Sequence, residues 1–366
     1  MKKVAVIPAV VLAALCTFTG CKKEEVENVI APLVSDGQTT ESTEEAQEEK
    51  DPLIPEIDTS VELQAGSRVA VVSKSTSGEF WGLVKKGMEQ AIADVNEAYG
   101  FKKEDQVTMT FEGASDEKDV ESQVNTIDAV IAENPDVLCV SASDMDSLQA
   151  QLEAAKENGI PVVAFDSGVT DSKMVRAFRG TDNTRVGEIA AYRLATAIGK
   201  MGKVAVFSAQ EKTQSIQERV SGFTNYITNY PDIEVVEIVY QDQVDDMTAA
   251  MQEVLDKYPQ LDGVFCDNAD IADLYLDMKK DETKDSIVMV GVDATAKQQE
   301  AIWNSKEVGV VSQQPYAMGY QTIWTALLTT APKKSVEIKR NVRIDPAWID
   351  SSNIDDPTYS SYLYAN

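Results

Sequence analysis

The chain has 366 residues, with 61 acidic and 33 basic side chains, no histidine, and a formal charge of −28. Such an acidic balance repels phosphate backbones and argues against nucleic acid as a partner, and the missing imidazole removes Ser–His and Cys–His nucleophile pairs and histidine metal sites. Hydrophobic residues make up 43% of the chain, enough for sizeable cores, and the length suits two domains with additions.

Residues 1–21 read MKKVAVIPAVVLAALCTFTGC. Two lysines, a short apolar run and small residues at its end form the order of a secretory signal. The run is shorter than the roughly 20 residues of a membrane-spanning helix. Cys21 directly after Thr19 and Gly20 is similar to a bacterial lipoprotein signal, which implies a lipid anchor on Cys21; an ordinary signal peptide with an incidental cysteine is the other reading. Residues 22–66 are expected to form an acidic disordered tether. Over 22–62, 13 acidic and 3 basic side chains give −10, a composition too polar to offset chain entropy by burial and extended by its own repulsion. Removing that −10 and the +2 of Lys2 and Lys3 from −28 leaves −20 for the body. The body holds two cysteines, Cys139 and Cys266, in the strand-like runs VLCV and VFCD; both are expected as small buried hydrophobes rather than a disulfide.

From residue 67 onward, strand and helix patterns alternate. Near-continuous apolar runs predict strands at 68–73, 107–112, 136–141, 161–166 and 174–179, then at 203–208, 234–240, 262–267, 286–293 and 308–313. Between them, Trp81, Val84, Met88, Ile92 and Val95 recur at helical spacing, as do Val120, Val124, Ile127 and Ile131, and Val186, Ile189, Ala190, Leu194 and Ala197. This alternation predicts an α/β fold of two Rossmann-like lobes, each a parallel sheet with helices on both faces. No phosphate-loop glycine motif, nucleophile elbow or EF-hand loop is present, so neither a cofactor nor a metal is expected.

Ligands of open α/β sheets bind beyond the carboxyl ends of the strands. Those ends carry the loop from Lys74 to Glu79 followed by Phe80 and Trp81, then Asp166 with Ser167, Asn268, Asp293 and Gln313. Carboxylates, amides and a guanidinium suit vicinal hydroxyls, and aromatic faces suit the C–H side of a sugar ring. Structural roles compete at several of these positions. Asn268 and Asp293 could cap the helices that follow them, Trp81 shares the core phase of Val84 and Met88, and Arg219 by default lies on a solvated helix face.

The segments VAVVSKSTSGEFW, VVAFDSG, GTDNTRVGE, SIQERVSGF, GVFCDNADIA, VMVGVDAT and VVSQQPYAMG keep the order and spacing of the type I periplasmic binding proteins of the ribose and sugar class, which the chain resembles over about residues 67–344. The resemblance implies ring stacking on Phe80 and Trp81 and hydroxyl contacts from Asp166, Arg219, Asn268, Asp293 and Gln313, with Ser167 and Ser77 as further candidates. It implies a three-segment hinge near Thr181–Asp182, Gln313–Gln314 and Arg343–Ile344. The amino lobe is then 67–181 plus 314–343, and the carboxyl lobe 182–313 plus 344–366. Two features depart from the ribose binders: Ser167 stands where they carry arginine, and Val244 where they carry an aromatic. The tail with Tyr359, Tyr362 and Tyr364 has no counterpart in the resemblance.

The expected function is a lipid-anchored, extracytoplasmic and monomeric binding protein of a sugar ABC importer, not an enzyme, that captures a monosaccharide, closes, and presents it to a membrane permease. A sensor that shows the sugar to a chemoreceptor or receptor kinase, or a binder of another small polar ligand, needs the same body. A hydrolase using Asp166 and Asp293 as a carboxylate pair is the enzymatic alternative.

Overall fold

A computed structural model describes residues 51–279, 286–332 and 337–364; the signal region, Cys21 and the tether up to residue 50 lie outside the described residues. The first half of the body runs β1 (Arg68–Ser75), α1 (Gly78–Tyr99), β2 (Thr108–Ala114), α2 (Val120–Ala132), β3 (Val137–Val140), α3 (Gln149–Glu157), β4 (Val162–Phe165) and β5 (Ala177–Thr181). The second half runs α4 (Asn183–Ala197), β6 (Gly202–Ser208), α5 (Gln214–Ile227), β7 (Ile233–Tyr240), α6 (Met247–Lys257), β8 (Gly263–Cys266), α7 (Ala269–Met278), β9 (Val288–Val292), α8 (Ala296–Trp303) and β10 (Gly309–Ser312). The chain then adds α9 (Pro315–Thr330), β11 (Asn341–Ile344) and β12 (Ala347–Asp350).

These strands build two six-stranded sheets with the same order, β11-β5-β4-β3-β1-β2 and β12-β10-β9-β8-β6-β7. The pairings are parallel except that of β12 with β10. Central strands β3, β4, β8 and β10 are buried along their whole length, which is why they read as unbroken apolar runs. In each sheet the strand order reverses beside the first strand, β1 or β6, so the crevice at that switch point opens above the strand ends. The chain passes between the sheets after β5, after β10 and between β11 and β12. Cys139 and Cys266 are buried and unpaired with each other.

Two apolar layers sandwich the amino-lobe sheet. Val84, Met88 and Val95 of α1 pack with Tyr320, Ile323 and Leu327 of α9 on one face, and Ile127, Ile131 and Leu152 of α2 and α3 cover the other. The paired helices of each lobe touch backbone to backbone. A Cβ on Gly87 would lie 2.0 Å from the Tyr316 carbonyl oxygen, and one on Gly319 would lie 2.1 Å from that of Val84. The carboxyl lobe repeats the device. A Cβ on Gly187 of α4 would lie 2.1 Å from the Arg219 carbonyl oxygen, and one on Gly222 of α5 would lie 2.3 Å from that of Thr184.

The amino end of the described body departs from the sequence reading. Residues 51–66, expected as tether, pack on the amino lobe: Val61 and Leu63 are buried, with Ile54 and Ile57 against the same cluster. The Tyr99 hydroxyl bonds the carbonyls of Asp58 and Val61, and Gln321 donates to the Leu53 carbonyl. The charge count over the segment hid these four apolar side chains. At the other end, β12 pairs antiparallel with β10, and the Arg193 guanidinium lies 4.9 Å over the Trp348 ring. A 3-10 turn, Pro357–Tyr362, follows and brings Tyr359 and Tyr364 into an apolar cluster with Ile302, Val310 and Ile349.

The glycine contacts give a direct test. Gly222→Ala forces α4 and α5 apart, and overpacking of this kind costs about 1–3 kcal/mol. Denaturant unfolding should show that loss, and an unchanged midpoint would contradict the close crossing.

Candidate functional site

The site is built from groups that end strands. Asp166 follows β4 and Asp293 follows β9, and both take left-handed backbone, with φ of 55° and 82°. That conformation is uncommon for a residue with a Cβ, and strain of this type persists where neighbours hold it in place. Both side chains are 3% exposed.

Three donors converge on Asp166 Oδ2: Ser141 Oγ at 2.8 Å, Ser167 Oγ at 3.0 Å and Lys74 Nζ at 3.0 Å. Lys74 is itself buried, lies 3.5 Å from Glu117 Oε2, and sits 5.6 Å over the Trp81 ring. Burial alone would push the Asp166 carboxyl up; Lys74 and then Arg219 outweigh it and hold it below the usual carboxylate range. Burial likewise opposes the charge on Lys74, and Asp166 and Glu117 together raise it above the usual lysine range. The lysine therefore brings a cation to the carboxylate where Ser167 replaces the arginine of the ribose binders. A lysine in a polar loop carries no sequence signal of burial, and β1 runs on to Ser75 to place it there.

Arg219 extends from α5 and is 3% exposed, not solvated. Its Nε donates to Asn183 Oδ1 at 2.8 Å and its Nη1 to the Asp267 carbonyl at 2.7 Å. Asp267 is fully buried; its carboxylate accepts from Ser208 Oγ and from the Ala209 N–H, and burial pushes it up to about 6. Asn268 does cap α7, accepting from the Ile271 N–H through Oδ1, which leaves its amide N–H groups for other partners. Asp293 does not cap the helix after it. Thr295 does so, with a capping box to Gln298. Asp293 instead accepts from the Ala269 N–H at the start of α7 through Oδ2, and from Gln313 Nε2 at 2.7 Å and the Tyr364 hydroxyl at 2.8 Å through Oδ1. Gln313 reaches back through Oε1 to the Thr181 hydroxyl at 2.7 Å.

The aromatic residues divide. Trp81 is 3% exposed and belongs to the amino-lobe core, its indole N–H held by Glu117 Oε1 at 2.7 Å. Phe80 is half-buried, edge-on to Trp81 at 5.0 Å, and 6.2 Å from the Tyr364 ring, so it packs against both lobes. Phe80 is thus the aromatic ring that lies between the two lobes. Ser77 is exposed at the start of α1, its backbone N–H held by Ser75 Oγ, and is not among the groups that converge. Val244 is half-buried beyond β7.

The lobes touch around this cluster. The Ser167 and Ser215 hydroxyls are 2.8 Å apart, the Gly168 N–H donates to Gln214 Oε1, Thr213 Oγ1 donates to the Ser143 carbonyl, and the Ala296 N–H donates to Glu79 Oε2. Beside the passages between the sheets, Arg343 of β11 makes a two-pronged pair with Glu218 of α5, at 2.7 and 2.9 Å. The lobes are therefore closed on one another, with Lys74 and Asp166 facing Arg219 and Asp293.

Two parallel α/β lobes with one polar, buried site between them define a type I periplasmic binding protein. Residues 69–331 match the periplasmic binding protein domain, and the chain belongs to that family. It is 27% identical over 203 residues to the ribose import binding protein RbsB of Bacillus subtilis, over 56% of this chain and 66% of that protein; the chain spans a little under two thirds of that relative's length. Among solved structures, an ABC transporter solute-binding protein of Agrobacterium vitis with bound D-fucose superposes with a TM-score of 0.74 at 28% identity, over 81% of this chain and all of that one. A carbohydrate transporter solute-binding protein of Agrobacterium radiobacter in complex with D-arabinose gives 0.73 at 28% identity, over 82% of this chain and 99% of that one.

The buried pair makes a pH test. Lys74→Met leaves the Asp166 carboxylate without its nearest cation, and breaking a buried pair costs about 3–5 kcal/mol. The folded pKa of Asp166 is lowered, so its contribution is present above the unfolded value near ~3.9 and is lost as pH falls through the folded value. That of Lys74 is raised, so its contribution is present below ~10.4 and is lost as pH rises through its folded value. Unfolding free energies of wild type and variant should differ by a constant amount between about pH 5 and 9 and converge on either side. A difference that stays constant down to about pH 3 would contradict the pairing.

Proposed function

We propose that the protein is the extracytoplasmic binding component of a sugar ABC importer, which captures a monosaccharide between its lobes and carries it to a permease. The observation that carries this reading is the split of the site. Lys74, Asp166 and Phe80 come from one lobe and Arg219, Asn268 and Asp293 from the other, with Gln313 between them. A ligand that bonds both halves favours the closed arrangement over the open one, because only differential affinity shifts such an equilibrium. The polar groups have capacity to spare for hydroxyls: Asp166 Oδ1 takes none of the three donors on Oδ2, and the Asn268 amide still has its N–H groups. Sugars bound in the two similar structures support the ligand class. A sugar-class ligand in a site of buried polar groups is selected by its hydroxyl pattern, since a missing hydroxyl leaves a buried partner unpaired.

On this reading Cys21 carries the lipid anchor, the acidic segment before residue 51 spaces the body from the membrane, and the protein works as a monomer facing a membrane permease. Substitution Cys21→Ser should move the protein from the membrane fraction to the medium or soluble periplasm; retention in the membrane would contradict the anchor.

The site itself is tested by a thermal-shift panel of pentoses, hexoses and polyols followed by calorimetry. A sugar at about 100 times its Kd should stabilise the protein by about 2.7 kcal/mol. Arg219→Ala and Asp293→Ala each leave a buried ligand hydroxyl without its charged partner, a loss of about 1–3 kcal/mol, or roughly 5- to 150-fold in affinity. Undiminished affinity in both variants would contradict this site.

A further inference from the structure

The tail that follows β12 enters the site. Tyr364 is 5% exposed, and its backbone N–H donates to the carbonyl of Ala294, the neighbour of Asp293. Ser312 Oγ, at the end of β10, donates to the Tyr362 carbonyl at 2.5 Å and fixes the same segment. The Tyr364 hydroxyl reaches Asp293 Oδ1, and its ring lies 6.2 Å from Phe80, tilted by 52°. Arg219 is near enough to act on its hydroxyl electrostatically, while burial and Asp293 hold that hydroxyl protonated, well above the usual tyrosine range.

We infer that Tyr364 is a specificity-determining wall of the ligand site, selecting monosaccharides that present a C–H or methyl edge, rather than a hydroxymethyl or a vicinal diol, to this end of the cleft. The inference rests on the sugar-binding reading above. Two observations carry it. A carboxylate oxygen has two lone-pair positions, and those of Asp293 Oδ1 are filled by Gln313 and Tyr364, while Ala269 takes one on Oδ2. Asp293 therefore has one position left for a ligand hydroxyl and cannot grip a vicinal pair with both oxygens. Second, the Tyr364 ring sets a second aromatic side chain beside Phe80. An apolar edge packs on an aromatic face, whereas a hydroxyl buried there finds no acceptor left on Oδ1.

The test uses the full chain and two matched sugar series that differ in one substituent: L-arabinose, D-fucose and D-galactose carry hydrogen, methyl and hydroxymethyl at the same ring carbon, as do D-xylose, 6-deoxy-D-glucose and D-glucose. Calorimetry on wild type, Tyr364→Ala and Tyr364→Phe gives the affinity ratios within each series. Wild type should prefer the hydrogen or methyl member, Tyr364→Ala should shift the ratio at least tenfold toward the hydroxymethyl member, and Tyr364→Phe, which keeps the ring but frees one acceptor position on Asp293 Oδ1, should shift it in the same direction by less than Tyr364→Ala does. Ratios unchanged in Tyr364→Ala, whether all affinities stay, fall together or rise together, would overturn the inference while leaving the sugar-binding reading intact. Wild type that binds none of the six sugars, or that prefers the hydroxymethyl members, would overturn it too, and binding of none would count against the parent reading as well.

Discussion

A charged side chain withdrawn from water loses several kcal/mol of hydration unless a counter-charge and hydrogen bonds replace it. Lys74, Asp166, Arg219 and Asp293 all face this penalty at the junction of the two lobes, and the arrangement around them follows from meeting it. Asp166 has Lys74 and two serine hydroxyls, Arg219 has Asn183 and the Asp267 carbonyl, and Asp293 has Gln313, Tyr364 and the start of α7. These partners come from strand ends, helix starts, the passages between lobes and the tail, so the fold converges on one small polar centre. The same logic gives function: the groups are held in fixed directions before a ligand arrives, which lowers the ordering that binding requires.

Positioning at this precision depends on the backbone contacts behind it. Arg219 stands on α5, whose crossing with α4 is set by Gly187 and Gly222, and the Arg219 carbonyl itself lies against Gly187. The amino lobe repeats the pattern with Gly87 and Gly319, which places α1, the carrier of Phe80, against α9. Each lobe thus has one tightly set helix pair beside its sheet and one site residue or pair carried by it. The tail is tied to the carboxyl lobe by β12, by Arg193 over Trp348 and by its tyrosines, and this anchoring makes Tyr364 a fixed feature of the site.

How much of this was legible in the sequence follows from range. The ten strands from 68 to 313 could be read because the inner ones are buried and apolar along most of their length and the edge strands β2 and β7 still carry β-branched or alternating apolar residues, and the strand ends then exposed Asp166, Asp293 and Gln313 as a set. β11 and β12 could not be read, since NVRI and AWID are only four residues long, stand at the sheet edges and lie apart from the strand–helix alternation of the body. Periodicity assigned Trp81 to the core correctly, whereas the resemblance placed it against the ligand; its indole N–H is engaged by Glu117. Asn268 serves as the cap that its position before a helix suggested, and Asp293 does not, because Thr295 takes that role two residues later. Lys74, Asp267 and Tyr364 escaped entirely. Their partners are distant in sequence, and a loop lysine, an acid after a strand and a tail tyrosine each look ordinary where they stand.

The proposed function depends on one ligand being held from both lobes by the polar groups at the strand ends. A crystal structure of the protein grown with a monosaccharide that binds it tests this most directly. Density is expected for one sugar with hydroxyls within hydrogen-bond distance of Asp166 on one side and of Arg219, Asn268 and Asp293 on the other, and with Phe80 against its ring. Sugar bound on the outer surface, or touching one lobe alone with these side chains still bonded only to the protein, would contradict it.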